Sequence, residues 1–473
     1  MSFSTGGPRA RRTGVALVLL GSVIVGIDAP TTQPARAAAP GRGTRPPTPN
    51  ILVFVTDDQR ARGTLGVMDA TRKHFARRGV HFSRSFATTP LCCPSRATIF
   101  TGQYTHNHGV KTNSQTDLPQ NETIQAYLDA AGYKTAIFGK YLNAWNIDVD
   151  PPHFDKWAIF DSSQASYRPG PWNVQGRTKR VEAYPTSFIR RKAMRFLKGT
   201  AERRDRRPWS MFLPVPAPHL PSTPQHKHRD ASVGSISPNP ATREKDRRDK
   251  PPYVREKNVP FRRARDVART QKRSLLSVDD LVGKVMTRLK GLDESRDTLA
   301  FFVSDNGFLW AEHKLLGSTA SKQNPYNDSV RIPLLARWPG HLQKGAKDRR
   351  LAATVDIAPT VMDAVGLTRD PGAPMDGRSL LKDWSRQKIL LEFFTYPNTS
   401  VPSWGSVRTR RYQYVEYFRD GGGVSFREYY NLNRDPWQLR NLYKDGKPGN
   451  DPNTATLSAR LDELRECAGR ECP

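Results

Sequence analysis

Two acidic pairs carry the first chemical signal in this chain. Asp57-Asp58 follows the apolar run Ile51-Leu52-Val53-Phe54-Val55, and Asp305-Asn306 follows Leu299-Ala300-Phe301-Phe302-Val303. A lone Asp-Asp after a strand is ordinarily a turn or a helix cap. Two such pairs after two buried runs point elsewhere. Three carboxylates and one amide carbonyl make a hard, all-oxygen set suited to Ca²⁺ or Mg²⁺. No histidine accompanies either pair, which argues against zinc. Two further runs, Thr135-Ala136-Ile137-Phe138 and Met211-Phe212-Leu213, lead to Gly139-Lys140 and to Pro218-His219. An acid, an amide, an amine and an imidazole thus all follow apolar runs, where open α/β sheets bind their ligands.

The most specific stretch is Leu91-Cys92-Cys93-Pro94-Ser95-Arg96-Ala97-Thr98-Ile99-Phe100-Thr101-Gly102. Its cysteines can be buried thiols, or half-disulfides paired with Cys467 and Cys472. Cys467 and Cys472, five apart in a glycine-containing tail, can equally bridge each other. Four cysteines in 473 residues exclude a disulfide-dense scaffold.

The elements that must position these groups follow from patterning. Continuous apolar runs predict strands buried on both faces of a parallel sheet. Helical periodicity over 122–131, 188–197 and 275–289 lies between them. The fold class is α/β: a large, mostly parallel sheet sandwiched by helices. After Trp384 the pattern changes to short strands near 390–394, 406–409, 412–417 and 428–432, with Gly421-Gly422-Gly423 as a turn and a helix over 454–466. That predicts a smaller C-terminal antiparallel sheet with one helix. The expected domains are a signal peptide over 1–37, a linker over 38–48, a catalytic domain over 49–385 and an α+β subdomain over 386–473. The 226–273 segment, crowded with Lys, Arg, Pro and Asp, predicts an exposed loop over 229–260, either a polyanion-binding surface or a solvated, mobile segment.

Arg9, Arg11 and Arg12 precede an apolar stretch over 13–27, and Ala35-Arg36-Ala37 offers a cleavage site. At about 15 residues the stretch is short for a membrane anchor, the alternative, which needs about 20. The expectation is a secreted protein with no stable anchor, exported by the general or the twin-arginine route (Arg11-Arg12). The chain carries 75 Lys+Arg against 45 Asp+Glu, a formal +30; loss of four arginines and one aspartate with residues 1–37 leaves +27. Such a surface favours an anionic partner. Export removes the chain from most nucleic acid, so none is expected.

Cys92-Cys93-Pro94-Ser95-Arg96, followed by Thr101-Gly102, resembles the signature of the type I sulfatases of the alkaline phosphatase superfamily, with Phe100 where leucine is usual. The resemblance spans most of 49–445 and includes Val355-Asp356-Ile357-Ala358-Pro359-Thr360 and Met375-Asp376-Gly377-Arg378-Ser379-Leu380. It implies that a formylglycine-generating enzyme oxidises Cys92 to formylglycine. It also implies one Ca²⁺ held by Asp57, Asp58, Asp305, Asn306 and residue 92. Arg96 then matches the arginine beside the nucleophile, Lys140 and Lys322 the sulfate lysines, and His219 the histidine near the leaving oxygen. Cys-Cys-Pro-Ser-Arg, Tyr104-Thr105-His106-Asn107-His108 and Gly139-Lys140-Tyr141-Leu142-Asn143 look like the N-acetylglucosamine-6-sulfatases and the extracellular heparan-type sulfatases. Cys467-Ala468-Gly469-Arg470-Glu471-Cys472 also resembles the end of the glucosamine-type enzymes. Many relatives carry a histidine two residues after the lysine; here Leu142 stands there, and Asn143 substitutes as a substrate contact. His106 and His108 either contact substrate or orient the formylglycine loop. The implied partner is a sulfated small molecule or polysaccharide, of 6-O-sulfo glucosamine type. The alternatives are a formylglycine-dependent phosphomonoester or phosphonate hydrolase and a non-enzymatic polyanion binder.

Overall fold

The computed structural model describes residues 48–473 apart from 115–116, 164–165, 202–206, 369 and 371. The expected signal peptide and nearly all of the linker lie outside the described residues. Among those residues, no helix is long and apolar enough to cross a membrane.

Ten strands build the large sheet: β1 (Asn50–Thr56), β2 (Val80–Phe86), β3 (Lys134–Gly139), β4 (Lys156–Phe160), β5 (Gly170–Val174), β6 (Thr178–Val181), β7 (Trp209–Pro214), β8 (Thr298–Ser304), β9 (Leu334–Arg337) and β10 (Ala346–Ala353). Their order is β10-β2-β9-β8-β1-β7-β3-β4-β5-β6. The central strands β8, β1, β7, β3 and β4 run parallel. β9 is antiparallel to both neighbours, and β5 and β6 close the far edge antiparallel. Alternate residues of β1 explain its unbroken apolar run. Ile51, Val53 and Val55 enter the core with the Cys92–Thr101 and Ile357–Val365 helices. Leu52 and Phe54 enter the core under the Pro185–Ala201 and Phe261–Gly291 helices. Both faces are dry between Ile51 and Val55, and the polar residues of the strand, Asn50 and Thr56, stand at its ends.

Four antiparallel strands form the second sheet: β11 (Lys388–Phe393), β12 (Trp404–Thr409), β13 (Tyr412–Phe418) and β14 (Val424–Asn431). The Thr454–Glu466 helix buries Leu457, Leu461 and Leu464 against Leu390, Val407 and Tyr414 of this sheet. Cys467 and Cys472, just beyond it, are bridged.

The 226–273 segment departs from expectation in part. Phe261 already begins a 31-residue helix, whose buried positions Ala264, Ala268, Gln271, Leu275, Val278, Val282, Val285 and Leu289 recur every three or four residues. Upstream, 229–260 is a loop with one short helix (Pro252–Arg255), half of its residues exposed as expected, but it is anchored at buried points. Lys250 is fully buried and donates to Leu439 O at 2.8 Å, and Arg247 donates to Val254 O at 2.6 Å. Cationic side chains here satisfy buried carbonyls, which composition alone does not reveal.

A buried polar seam joins the two sheets. Arg386 grips Asp356 with both terminal nitrogens, at 2.7 and 2.8 Å, and neither side chain is exposed. Asp376 accepts from the backbone of Tyr104 (2.6 Å) and Gly469 (2.7 Å) and from Asn107 Nδ2 (2.9 Å). His106 Nδ1 meets Glu392 at 3.1 Å and its Nε2 meets Cys467 O at 3.0 Å. Both partners are acceptors, so both contacts are hydrogen bonds only when the two ring nitrogens carry protons. Burial alone would lower the His106 pKa, but the hydrogen bond and charge of Glu392 outweigh it and raise the net value.

Two outcomes follow for this seam. Arg386→Met leaves the Asp356 carboxylate buried without its cation, and urea unfolding should show a loss of about 3–5 kcal/mol. His106 has a folded pKa above its unfolded 6.5, so its stabilisation is complete below about pH 6.5 and fades as pH rises through the folded value. The urea midpoint difference between wild type and His106→Gln should therefore be larger at about pH 5.5 than at about pH 8.

Candidate active site

Register brings the acids together. Thr56 of β1 pairs with Ser304 of β8, so the next residues, Asp57 and Asp305, leave the sheet side by side. The Asp305 N–H donates back to Thr56 O at 3.0 Å, and the Asp58 N–H donates to Asp305 Oδ1 at 3.0 Å. Asp58 holds φ at +68°, a left-handed conformation that aspartate tolerates better than most residues. Lys140 follows β3, and His219 follows β7 after a short loop. The Cys92–Thr101 helix begins at the same edge, with Cys93 N–H capped by Asn113 Oδ1 at 2.9 Å. Lys322 arrives on the loop between β8 and β9.

The result is a dry cluster of three carboxylates and three cations. Asp57, Asp58, Asp305, Asn306, Cys92, Arg96, Lys140 and Lys322 are all at most 3% exposed. Lys140 Nζ is 2.5 Å from Asp57, and Lys322 Nζ is 3.0 and 3.1 Å from the two Asp58 oxygens. Arg96 binds Asp305 Oδ2 through Nε and Nη2 at 3.0 and 2.9 Å, and donates to Lys140 O at 2.7 Å. The Cys92 Sγ sits at the centre, 3.3 Å from Lys322 Nζ and 3.4 Å from Asp57 Oδ1. Burial alone would raise Asp57, but Lys140, with His219, Arg96 and Lys322, holds it well below the usual carboxylate range. Asp305 goes the other way, pushed up by burial first and by neighbouring Asp57 second. Burial, reinforced by Asp57, also lifts the Cys92 thiol well above its ordinary value, so it stays protonated and is a poor nucleophile as it stands.

Two observations fit a bound metal ion, and the first of them fits a hard dication. Asn306 Oδ1 is buried and has no hydrogen-bond partner, while its Nδ2 donates to Asp58 Oδ1 at 2.7 Å and to Gly307 O at 2.8 Å. An orphaned amide oxygen beside buried carboxylates is costly unless something electropositive meets it. In addition, Asp57, Asp58, Cys92 and His219 each offer a ligand atom within 4.8 Å of the others. The sequence put His219 at the same sheet edge, though not beside either acidic pair in the chain; the fold brings its Nε2 to 3.7 Å from Asp58. Its side chain is 25% exposed, unlike the rest of the cluster. The His219 Nδ1–H donates to Leu220 O at 2.6 Å, leaving Nε2 to face the acids.

The remaining candidates are placed less uniformly. His108 is buried with Nε2 against Thr98 Oγ1 (3.1 Å) and Nδ1 accepting from Val110 N–H (3.1 Å). Burial, then His106, lowers its pKa to about 3. Both nitrogens of each ring are thus engaged by protein groups, on the segment that follows the Cys92–Thr101 helix. The half-buried Asn143 has its Oδ1 at 3.5 Å from Cys93 Sγ. Sequence patterning gave no sign of Asn113, nor of Tyr396, whose hydroxyl accepts from Gln323 Nε2 at 2.5 Å beside Lys322. Tyr396 follows β11, so only the tertiary fold brings it here.

A family model described as Sulfatase matches residues 49–367, and one described as N-sulphoglucosamine sulphohydrolase, C-terminal, matches 318–467. Human N-acetylglucosamine-6-sulfatase is 28% identical over 496 residues, covering 91% of this chain and 86% of that protein. An extracellular sulfatase homolog of Drosophila melanogaster is 32% identical over 361 residues, covering 70% of this chain and 31% of that protein. The chain spans less than half the length of the extracellular sulfatases it matches. A solved structure described as a complex with its substrate D-glucosamine-2-N,6-O-disulfate shares the fold, with a TM-score of 0.77 at 22% identity over 89% of this chain and 98% of that one. The first family model runs from β1 through the Ile357–Val365 helix and so takes in every charged residue of the cluster. The chain belongs to the sulfatase family.

Proposed function

We propose that this chain is an exported sulfatase that hydrolyses sulfate monoesters of 6-O-sulfo glucosamine-type saccharides after oxidation of Cys92 to formylglycine. The observation that carries the reading is the setting of Cys92: a protonated, buried thiol at a helix start, ringed by three cations and three carboxylates. The names of the human relative and of the substrate in the solved neighbour support a glucosamine sulfate. The pattern over residues 9–37 and the extracellular relatives support export.

Asp57, Asp58, Asp305 and Asn306 would hold one Ca²⁺ with residue 92; bound there, the ion supplies Lewis acidity and the formylglycine hydrate a hydroxyl nucleophile. The chain's own side chains do the rest. Lys140 and Lys322 each carry three N–H donors. Lys140 gives one to Asp57 and retains donors for a sulfate oxygen. Lys322 gives two to Asp58, and its third, now on Cys92 Sγ, faces the reacting group. Arg96 holds Asp305 and the Lys140 carbonyl and so keeps acid and amine in register. The partly exposed His219 marks the side from which an ester enters, and its Nε2 can pass a proton to the departing sugar oxygen. The low dielectric of the cluster strengthens each of these interactions.

Protein made alongside a formylglycine-generating enzyme should give a tryptic Cys92 peptide lighter by one sulfur and two hydrogens and heavier by one oxygen. It should contain one equivalent of calcium, which Asp57→Ala abolishes together with turnover while the fold survives. Full activity with an intact Cys92 thiol, stoichiometric zinc, or faster cleavage of nitrophenyl phosphate than of nitrophenyl sulfate would each refute the reading.

His219→Ala tests proton delivery. A sugar alkoxide needs a proton to leave and a nitrophenolate does not. Turnover of a glucosamine 6-sulfate should fall by about 10²–10⁴, and that of nitrophenyl sulfate far less. Equal losses on both esters would remove the general-acid role.

A further inference from the structure

The β12–β13 hairpin breaks a turn rule. Two-residue hairpin turns ordinarily draw Asn-Gly, Asp-Gly or another glycine pair. Here Arg410 and Arg411 fill the tip, both exposed and neither with a positive φ. Thr409 closes the turn for them: its Oγ1 accepts from the N–H groups of Arg411 (3.1 Å) and Tyr412 (2.9 Å) and donates to Tyr412 O (3.1 Å). The turn thus needs nothing from either arginine side chain. Two adjacent cations at one tip repel each other, a cost with no structural return in the chain itself.

The tip opens onto a cleft of about 760 Å³ that Arg378, Lys388 and Arg460 also line, and no aspartate or glutamate side chain lines it. Lys388 reaches out 3.6 Å to the exposed Glu463, and Arg460 donates to Tyr412 OH at 3.1 Å. Among the described residues, the side chains of Arg378, Arg410 and Arg411 have neither an ion pair nor a hydrogen bond. Past the tip the positive surface continues to Arg84 and to Arg349 on β10. Burial, then Arg410 and Arg349, depress the Arg84 pKa, which places these guanidinium groups within reach of one another.

We propose that this cleft is a second binding site for a sulfated polysaccharide chain, separate from the site that cleaves it; the inference rests on the sulfatase reading above. Guanidinium forks match sulfate and carboxylate oxygens in pairs, and their weak hydration suits a shallow, ionic contact. The cleft lies at the Lys388 end of β11. The opposite end leads to Tyr396 at the Lys322 loop, six strand residues or about 20 Å away. That span is too long for one saccharide and fits a chain gripped at one point and cut at another. Two other polyanions fit less well. Tyr412 is the one aromatic residue lining the cleft, and Tyr429 lies against its ring at 5.6 Å, so the cleft lacks the successive rings on which bases stack. The only large hydrophobic side chain exposed among the described residues is Val149, so no apolar anchor faces a membrane here.

The test compares two charge-matched triple variants of the full chain. Arg378→Ala/Arg410→Ala/Arg411→Ala empties the cleft. Arg262→Ala/Arg263→Ala/Arg265→Ala removes three cations from the long helix, of which all three are exposed. Heparin binding by titration calorimetry, at about 0.15 M NaCl, should weaken about tenfold or more in the cleft variant and much less in the control, with a shallower salt dependence. Turnover of a small glucosamine 6-sulfate should be unchanged in both. Equal heparin loss in the two variants, unchanged heparin affinity in the cleft variant, or a selective loss of phosphatidylserine-vesicle or single-stranded DNA binding would overturn the proposal. Heparin binding is read without catalysis, so a protein that cleaves no sulfate still decides this question separately from the proposed activity.

Discussion

Six charges that must share one dry place govern this fold. Each of Asp57, Asp58, Asp305, Arg96, Lys140 and Lys322 is nearly or wholly inaccessible to water. Taking one such ion out of water costs several kcal/mol, which only close, well-directed pairing offsets. No pair is local in sequence: Lys140 crosses 83 residues to Asp57, Lys322 264 to Asp58, and Arg96 209 to Asp305. The parallel register of β1 and β8 supplies the acids, β3 an amine, and the nucleophile helix the guanidinium. Losing any one leaves a charged partner stranded in low dielectric. The cluster is therefore a constraint on the whole sheet as well as a site.

How much of this could be read in advance depended on local redundancy. Central strands announce themselves because both faces are buried, as in β1 and β8, where seven consecutive residues are inaccessible. The edges do not. β10 reads Ala346-Lys347-Asp348-Arg349-Arg350 before its buried end, and β6 exposes three of its four residues. Neither has a pattern distinguishable from a loop. The Phe261–Gly291 helix was legible only over its apolar second half; its first half buries small alanines between arginines, which composition hides. In the loop before it, half of the residues are exposed as the composition suggests, yet Lys250 and Arg247 serve buried carbonyls.

The site divides along the same line. Residues that directly follow an apolar run, Asp57, Asp58, Lys140, Asp305 and Asn306, were legible because a strand's end fixes where the next side chain goes. Residues that arrive on loops were not legible by position: Lys322 emerged through resemblance alone, and Gln323, Asn113 and Tyr396 not at all. For the two histidines of Tyr104-Thr105-His106-Asn107-His108 the sequence leaves a substrate contact and an orienting role both open. Hydrogen-bond accounting favours the second, since all four ring nitrogens already have protein partners.

Those histidines also explain why the C-terminal sheet belongs to the chemistry. The nucleophile helix ends at Gly102, whose carbonyl accepts from the N–H groups of Asp376 (2.8 Å) and Gly377 (3.2 Å). A Cβ on Gly377 would stand 1.9 Å from Val355 O, so that backbone is held at contact distance. Asp376 in turn fixes Tyr104 and Gly469, Asp356 is locked by Arg386, and His106 is locked by Glu392 of β11. Each link is buried and polar, and each is satisfied only in one register. Displacing the second sheet would therefore unpair groups at the foot of the helix that carries Cys92 at its head. The small sheet acts as a brace on the helix that begins at Cys92, and a hydrogen bond from Gln323 holds Tyr396 against the Lys322 loop.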